Sequence, residues 1–246
     1  MTTLRSLKDL IKDNKKITVG IIGAMDQEVE ILRNTLENRK EHAIGGYDFY
    51  TGQIGNLDVV LLKSGIGKVN AAVSTTLLLH AFTPDCIINT GSAGGFDPEL
   101  EVGDIVISSE VRHHDVDVTV FGYEPGQVRG LPAAFEPDVL MAELAEQCIE
   151  KLAGMRTVSG LIATGDTFMN DPARVQHARA LFPAMKAVEM EGAAIAQTCH
   201  QFGTPFIIIR ALSDIAGKES NLSFDQFLET AAKHSATMVI EITRAI

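Results

Sequence analysis

Apolar residues in this chain fall into short unbroken blocks separated by longer segments of helical period. Blocks at residues 17–23, 57–63, 85–90, 104–108 and 206–211 carry few polar interruptions, which predicts strands covered on both faces in a largely parallel sheet. Residues 47–53 alternate instead, as a strand with one open face does. Met25, Val29, Leu32 and Leu36 repeat at i, i+4, i+7 and i+11, and residues 69–82, 138–152, 192–201 and 224–244 also read as helices. Strands and helices in alternation predict an α/β fold, a single three-layer αβα domain with a central mixed sheet. No linker, repeat or shift of composition divides it, so the domain is drawn over 17–246, with 1–16 as an amphipathic or frayed extension.

The polar punctuation then matters. The block at 85–90 runs into Thr90-Gly-Ser-Ala-Gly-Gly95, the first strand ends in Gly23-Ala-Met25, and the last is followed by Arg210-Ala-Leu-Ser-Asp214. Three strand ends that turn to glycine, hydroxyl or carboxylate describe the mouth of an α/β sheet, where small ligands bind. The loop at 113–135 is long enough to be functional or to contact another subunit.

Composition narrows the classes. With 32 acidic against 21 basic residues the formal charge is −11, which repels a phosphate backbone, so nucleic acid is not expected as a partner. Cys86, Cys148 and Cys199 are far apart and odd in number, suggesting neither a disulfide framework nor a zinc ribbon, and pointing to a reducing compartment. No apolar run is long enough for a membrane span, and the first sixteen residues lack the apolar middle of a secretory signal. A cytoplasmic enzyme without a membrane partner is the expectation.

Three carboxylates stand out. Glu28 shares an i, i+4, i+8 row with Leu32 and Leu36, so it borders a buried helix face; the plain alternative is a first-turn acid complementing the helix dipole. Glu191, in Val188-Glu-Met-Glu-Gly-Ala-Ala-Ile-Ala196, sits where a short strand runs into a helix and could accept hydrogen bonds from a sugar's hydroxyls, or serve only as a helix-start acid. Glu189 is expected to point elsewhere. Asp214 follows the last strand, where an N-cap is equally at home, but Arg210 and Ser213 gather beside it. His113-His-Asp-Val-Asp117 has metal-ligating types without metal-site spacing, and Ser64-Gly-Ile-Gly-Lys68 lacks the spacing of a triphosphate loop. Gly20-Ile-Ile-Gly23 is not a dinucleotide fingerprint, so neither a metal nor a nicotinamide cofactor is expected.

Together, GIIGAMDQE at 20–28, SGIGK at 64–68, TGSAGG at 90–95, DVTVFGY at 117–123, TGDTF at 164–168, VEMEGAAIA at 188–196 and RALSD at 210–214 closely resemble the 5′-methylthioadenosine/S-adenosylhomocysteine nucleosidases of the purine nucleoside phosphorylase/uridine phosphorylase superfamily. The resemblance runs from about Ile17 to the C-terminus and implies a nucleoside phosphorylase-like fold and no metal or organic cofactor. It implies hydrolysis of the N-glycosidic bond of methylthioadenosine, S-adenosylhomocysteine and 5′-deoxyadenosine, in methionine salvage and activated-methyl recycling. By the same resemblance Asp214 would protonate adenine N7, Glu28 would activate water and Glu191 would hold the ribose hydroxyls. Glu189 and Met190 would lie along the sugar, with Ser92 and Arg210 on its water side. Phe168 would stack on adenine, Met169 would meet its edge through the backbone, Ala93 and Gly94 would frame it, and Ser213 would support Asp214. Met25, Ile66 and Phe224 would wall the 5′ pocket, while Val118 and Phe121 would enter a partner's site in a homodimer.

Two features depart from that pattern: the N-terminal extension, and Arg129 where a proline is common at the outer 5′ pocket. Three rival classes are weighed against it. A phosphorylase needs arginines for phosphate, yet the comparable positions hold Glu28 and Asn89. A storage protein of this fold predicts loss of one of the three carboxylates, and a nicotinamide oxidoreductase lacks its glycine fingerprint.

Overall fold

A computed structural model describes residues 6–12, 16–148, 156–218 and 220–246, apart from the side chains of 220–222. Ten strands form one mixed sheet: β1 (Thr18–Gly23), β2 (Glu37–Ile44), β3 (Tyr47–Ile54), β4 (Leu57–Lys63), β5 (Cys86–Asn89), β6 (Ser92–Gly95), β7 (Ile105–His113), β8 (Thr157–Thr164), β9 (Met185–Glu189) and β10 (Phe206–Ile215). Their order is β2-β3-β4-β1-β5-β10-β6-β9-β8-β7. The last strand organises it. β10 runs parallel to β5 over its first residues, meets β7 antiparallel at Ile209–Ala211, and then pairs with β6 in parallel. Because β7 also pairs with β8, and β8 and β6 both pair with β9, that half of the sheet closes on itself.

Helices cover both faces, as the buried blocks require. α2 (Asp26–Thr35), α4 (Val139–Cys148) and α7 (Ser220–Ala245) pack on one side, α3 (Lys68–Phe82) and α6 (Gly192–Phe202) on the other. Leu32, Ile88, Ile207 and Val239 belong to one core cluster, Leu78, Ile87, Ile195 and Ile208 to the other. Alternate residues of β5 and β10 thus serve opposite layers, as the two-residue period of a strand dictates. α5 (Pro172–Leu181) covers a smaller cluster around Met185 and Val188. In the extension, α1 (Leu7–Lys12) is anchored: Leu7 is fully buried and its N–H donates to Asp138 Oδ2 at 3.1 Å.

Several expectations change. The end of the helix expected at 138–152 lies outside the described residues. The glycine-rich run at 92–95 is itself a strand, and β10 extends four residues past the expected end, to Ile215. β2, β8 and α5 had no counterpart in the pattern reading.

Candidate active site

The ends of β1, β9 and β10 and the strand β6 surround a cavity of about 310 Å³ lined by glycine, apolar side chains and four buried acids: Glu28, Glu189, Glu191 and Asp214. Glu28 is the third residue of α2, so its side chain turns back over the strand end. Its Oε2 accepts from the N–H groups of Ala24 and Met25 at 2.8 and 3.1 Å, and its Oε1 from Ser92 N and Oγ at 2.8 and 2.9 Å. A carboxylate offers about four acceptor directions. All four are used, so the group is held in a single orientation. Gly91 permits the approach, since a Cβ there would lie 2.8 Å from Glu28 Oε1.

Asp214 reaches the cavity through an irregularity in β10. The register against β6 shifts between Leu212 and Asp214, placing Asp214 opposite Gly94. Consecutive strand residues normally face opposite ways. The bulge lets Ser213 and Asp214 both line the cavity, and Ser213 Oγ donates to Asp214 Oδ1 at 3.0 Å. A Cβ on Gly94 would stand 3.1 Å from Asp214 Oδ2, so this glycine makes room for the acid.

Glu191 occupies the N-cap position of α6 and accepts the Gly67 N–H at 2.7 Å on Oε1. Burial, reinforced by the Glu189 carboxylate and more weakly by Glu28, pushes its pKa up to about 8 against the pull of Gly67 N–H and Arg210.

Glu189 was expected to point away from this cluster and does not. β9 ends at Glu189 and the chain then turns so that Glu191 caps α6, and both carboxylates line the same cavity. Its Oε2 accepts from Arg210 Nη2 at 2.6 Å and from the N–H groups of Glu191 and Gly192 at 3.0 and 2.7 Å, and its Oε1 from the Thr164 hydroxyl. Arg210 is fully buried, also donates to Asn89 Oδ1 at 2.6 Å, and is not among the lining side chains. It acts on the cavity through Glu189.

The expected apolar walls fall where the motifs place them in sequence. Met25, Ile66, Met190 and Phe224 line the cavity with Ala93, Gly94 and Ser92, and the Phe168 and Phe224 rings meet edge to face at 5.8 Å. Met169 adjoins a small recess behind Phe168, its carbonyl accepting from Gly217 N at 3.2 Å. Val118 and Phe121 are not brought to this cavity. Phe121 is 68% exposed, in a 3-10 turn whose Thr119 N–H donates to Asp117 Oδ1 at 3.0 Å, and the Arg129 guanidinium lies 6.0 Å from its ring centre. Sequence reasoning missed Asp225, Ala24 and Val188 in the lining, and Thr164 and Gly67 in support. The Ser64–Lys68 run, set aside as a poor phosphate loop, supplies the donor to Glu191. Among the described residues no group of three or more His, Cys, Asp or Glu is disposed to hold a metal, and no helix is long and apolar enough to cross a membrane.

Residues 18–244 match the model of the phosphorylase superfamily. A 5′-methylthioadenosine/S-adenosylhomocysteine nucleosidase of Geobacillus thermodenitrificans is 63% identical over 227 residues, 92% of this chain and 96% of that one. The chain belongs to this nucleosidase family. Solved structures agree in fold. The Neisseria meningitidis family member in complex with methylthio-immucillin-A superposes with a TM-score of 0.92 at 52% identity, covering 93% of this chain and 99% of that one. The Colwellia psychrerythraea member in complex with adenine gives 0.91 at 51% identity, with 98% and 96% covered.

Proposed function

We propose that this chain hydrolyses the N-glycosidic bond of 5′-methylthioadenosine and S-adenosylhomocysteine, releasing adenine and the 5-thioribose, and that it accepts 5′-deoxyadenosine through the same cavity. The observation that carries the reading is the placement of Glu28, Glu191 and Asp214 around one mostly apolar cavity large enough for a nucleoside. Breaking this bond leaves a purine anion and an oxocarbenium-like sugar, so the site must protonate the base and deliver water.

The geometry suits a division of labour. Asp214, against Gly94 and beside Phe168 at the recess of Met169, is placed to give a proton to N7 of the base. Glu191 takes the ribose hydroxyls, and Glu28 takes the proton of the attacking water. Since both oxygens of Glu28 are already saturated, one donor must turn aside as the water's proton arrives. The Ser92 hydroxyl is the donor free to rotate, which gives Ser92 a part in the step. Met25, Ile66 and Phe224 receive the 5′-thio substituent, and the exposed Phe121 with Val118 completes the site of a second copy in a homodimer.

Among the described residues no arginine lines the cavity to bind phosphate: Arg210 is committed to Glu189 and Asn89, and Glu28 would repel the anion. Hydrolysis therefore suits the site better than phosphorolysis. On this reading the products feed methionine salvage and activated-methyl recycling, and the enzyme works in the cytoplasm.

Asp214→Asn and Glu28→Gln test the assignment. Each is expected to lower kcat by about a hundredfold or more, the usual weight of a positioned acid or base, while a non-hydrolysable nucleoside analogue still binds Glu28→Gln. Full turnover of methylthioadenosine by either variant removes that residue from the chemistry.

A further inference from the structure

The Gly67 N–H that meets Glu191 is held in place by groups outside the cavity. Gly67, with φ of +93°, stands where the chain turns into α3. The first N–H groups of a helix have no partner within it, so something else must fix this turn. The next N–H, of Lys68, donates to Asp166 Oδ1 at 2.8 Å. The Lys68 ammonium donates to Asp115 Oδ1 at 2.6 Å, and Asp115 Oδ2 accepts the Asp166 N–H at 3.0 Å. A Cβ on Gly67 would lie 3.2 Å from Asp166 Oδ1, so the aspartate is packed directly on the turn. Segments following β4, β7 and β8 are thereby closed into one ring of hydrogen bonds. None of its three side chains lines the cavity of Glu28, Glu191 and Asp214.

We propose that Lys68, Asp115 and Asp166 are positioning residues for Glu191, whose clasp fixes the Gly67 N–H on the Glu191 carboxylate and so governs the form in which that group meets the ribose. The inference rests on Glu191 as the sugar ligand. Glu191 is faced by Glu189 of β9, Glu28 of α2 and Arg210 of β10, with Asp214 of β10 across the cavity. Glu189 and Glu28 oppose its charge and Arg210 favours it. Among the described residues, the Gly67 N–H is the hydrogen-bond donor placed on its carboxylate. A donor to a charged group strengthens that charged form. Loosening the clasp withdraws the donor, and Glu191 then holds its proton to higher pH.

The test is a carbon-13 carboxyl NMR titration of the full chain without ligand, with the Glu191 signal assigned by its loss in Glu191→Gln. In Asp166→Ala the midpoint is expected to rise by about half a unit or more, on the scale of one charge-assisted hydrogen bond. Lys68→Met should move it the same way by a smaller step. Asp166→Asn should stay near the parent, because its amide oxygen still accepts the Lys68 N–H. KM for methylthioadenosine at pH 7 should rise several-fold in Asp166→Ala with kcat less affected. An unmoved midpoint in folded Asp166→Ala overturns the proposal, even where its melting temperature has dropped. Should that variant not fold, an unmoved midpoint in Lys68→Met does the same. Wild-type turnover is a separate arm: turnover with unmoved midpoints sinks the clasp alone. No turnover with shifted midpoints leaves the clasp standing and sinks the nucleosidase reading.

Discussion

Glu191 shows how much of this site is set by surroundings that a sequence does not display. Its raised pKa has a consequence for stability whose sign is fixed. The folded carboxyl keeps its proton to about pH 8, whereas the unfolded one releases it near 4.5, so the folded state binds more protons between those values. Stability from this group is undiminished below about 4.5 and declines as pH rises towards 8. Glu191→Gln removes that penalty and keeps an oxygen for the Gly67 N–H. Its melting temperature relative to wild type should therefore rise between pH 5 and pH 8 by roughly 3–6 °C, taking about 1–2 kcal/mol for the relieved charge. Parallel thermal melts at the two pH values check this, and a difference independent of pH refutes it. Glu28, Glu191 and Asp214 were legible as candidates because carboxylates at strand ends are conspicuous. The bonds of Arg210 to Glu189 and Asn89, and of Glu189 to Thr164, were not, because they join residues far apart in the chain.

Among elements, the connection between β5 and β6 is held by contacts from two helices. Gly91 links them, its N–H donates to the Ser235 Oγ of α7 at 3.1 Å, and Glu28 lies where its side chain would be. Gly91→Ala must displace the Glu28 carboxylate or the strand end. A misplacement of this kind is expected to lower kcat/KM for methylthioadenosine by on the order of tenfold to a hundredfold, with fold retained by circular dichroism. An unchanged kcat/KM would show that the close approach is unnecessary. The blocks that became β1, β4, β5 and the start of β10 were readable because both faces are buried. β2 was not, since its Glu37-Asn-Arg-Lys-Glu-His42 run lies at the sheet edge and is largely exposed. α5 carried a signal that went unread: Asp171 before Pro172 is an N-cap pattern, and Asp171 Oδ1 accepts from Ala173 N at 2.8 Å and Arg174 N at 3.0 Å. The bulge that turns Asp214 inward had no local signature, being a register relation with β6.

At the scale of the whole molecule, the loop after β7 holds apolar side chains outward rather than into its own core. Val120 is 85% exposed and Phe121 68%, on a turn fixed by Asp117. Isolated exposed apolar residues are ordinary; on the proposed reading Phe121, with Val118, completes a partner's site. Phe121→Asp, which leaves the core untouched, should therefore shift the protein towards monomer in sedimentation and raise KM; a dimer with unaltered KM would contradict that pairing. The central claim is hydrolysis at the cavity of Glu28, Glu191 and Asp214, and adenine release from methylthioadenosine tests it most directly, measured in buffer without phosphate and again with it. Release at the same rate in both is predicted; release only when phosphate is present would contradict the account and make Glu28 something other than the water's base.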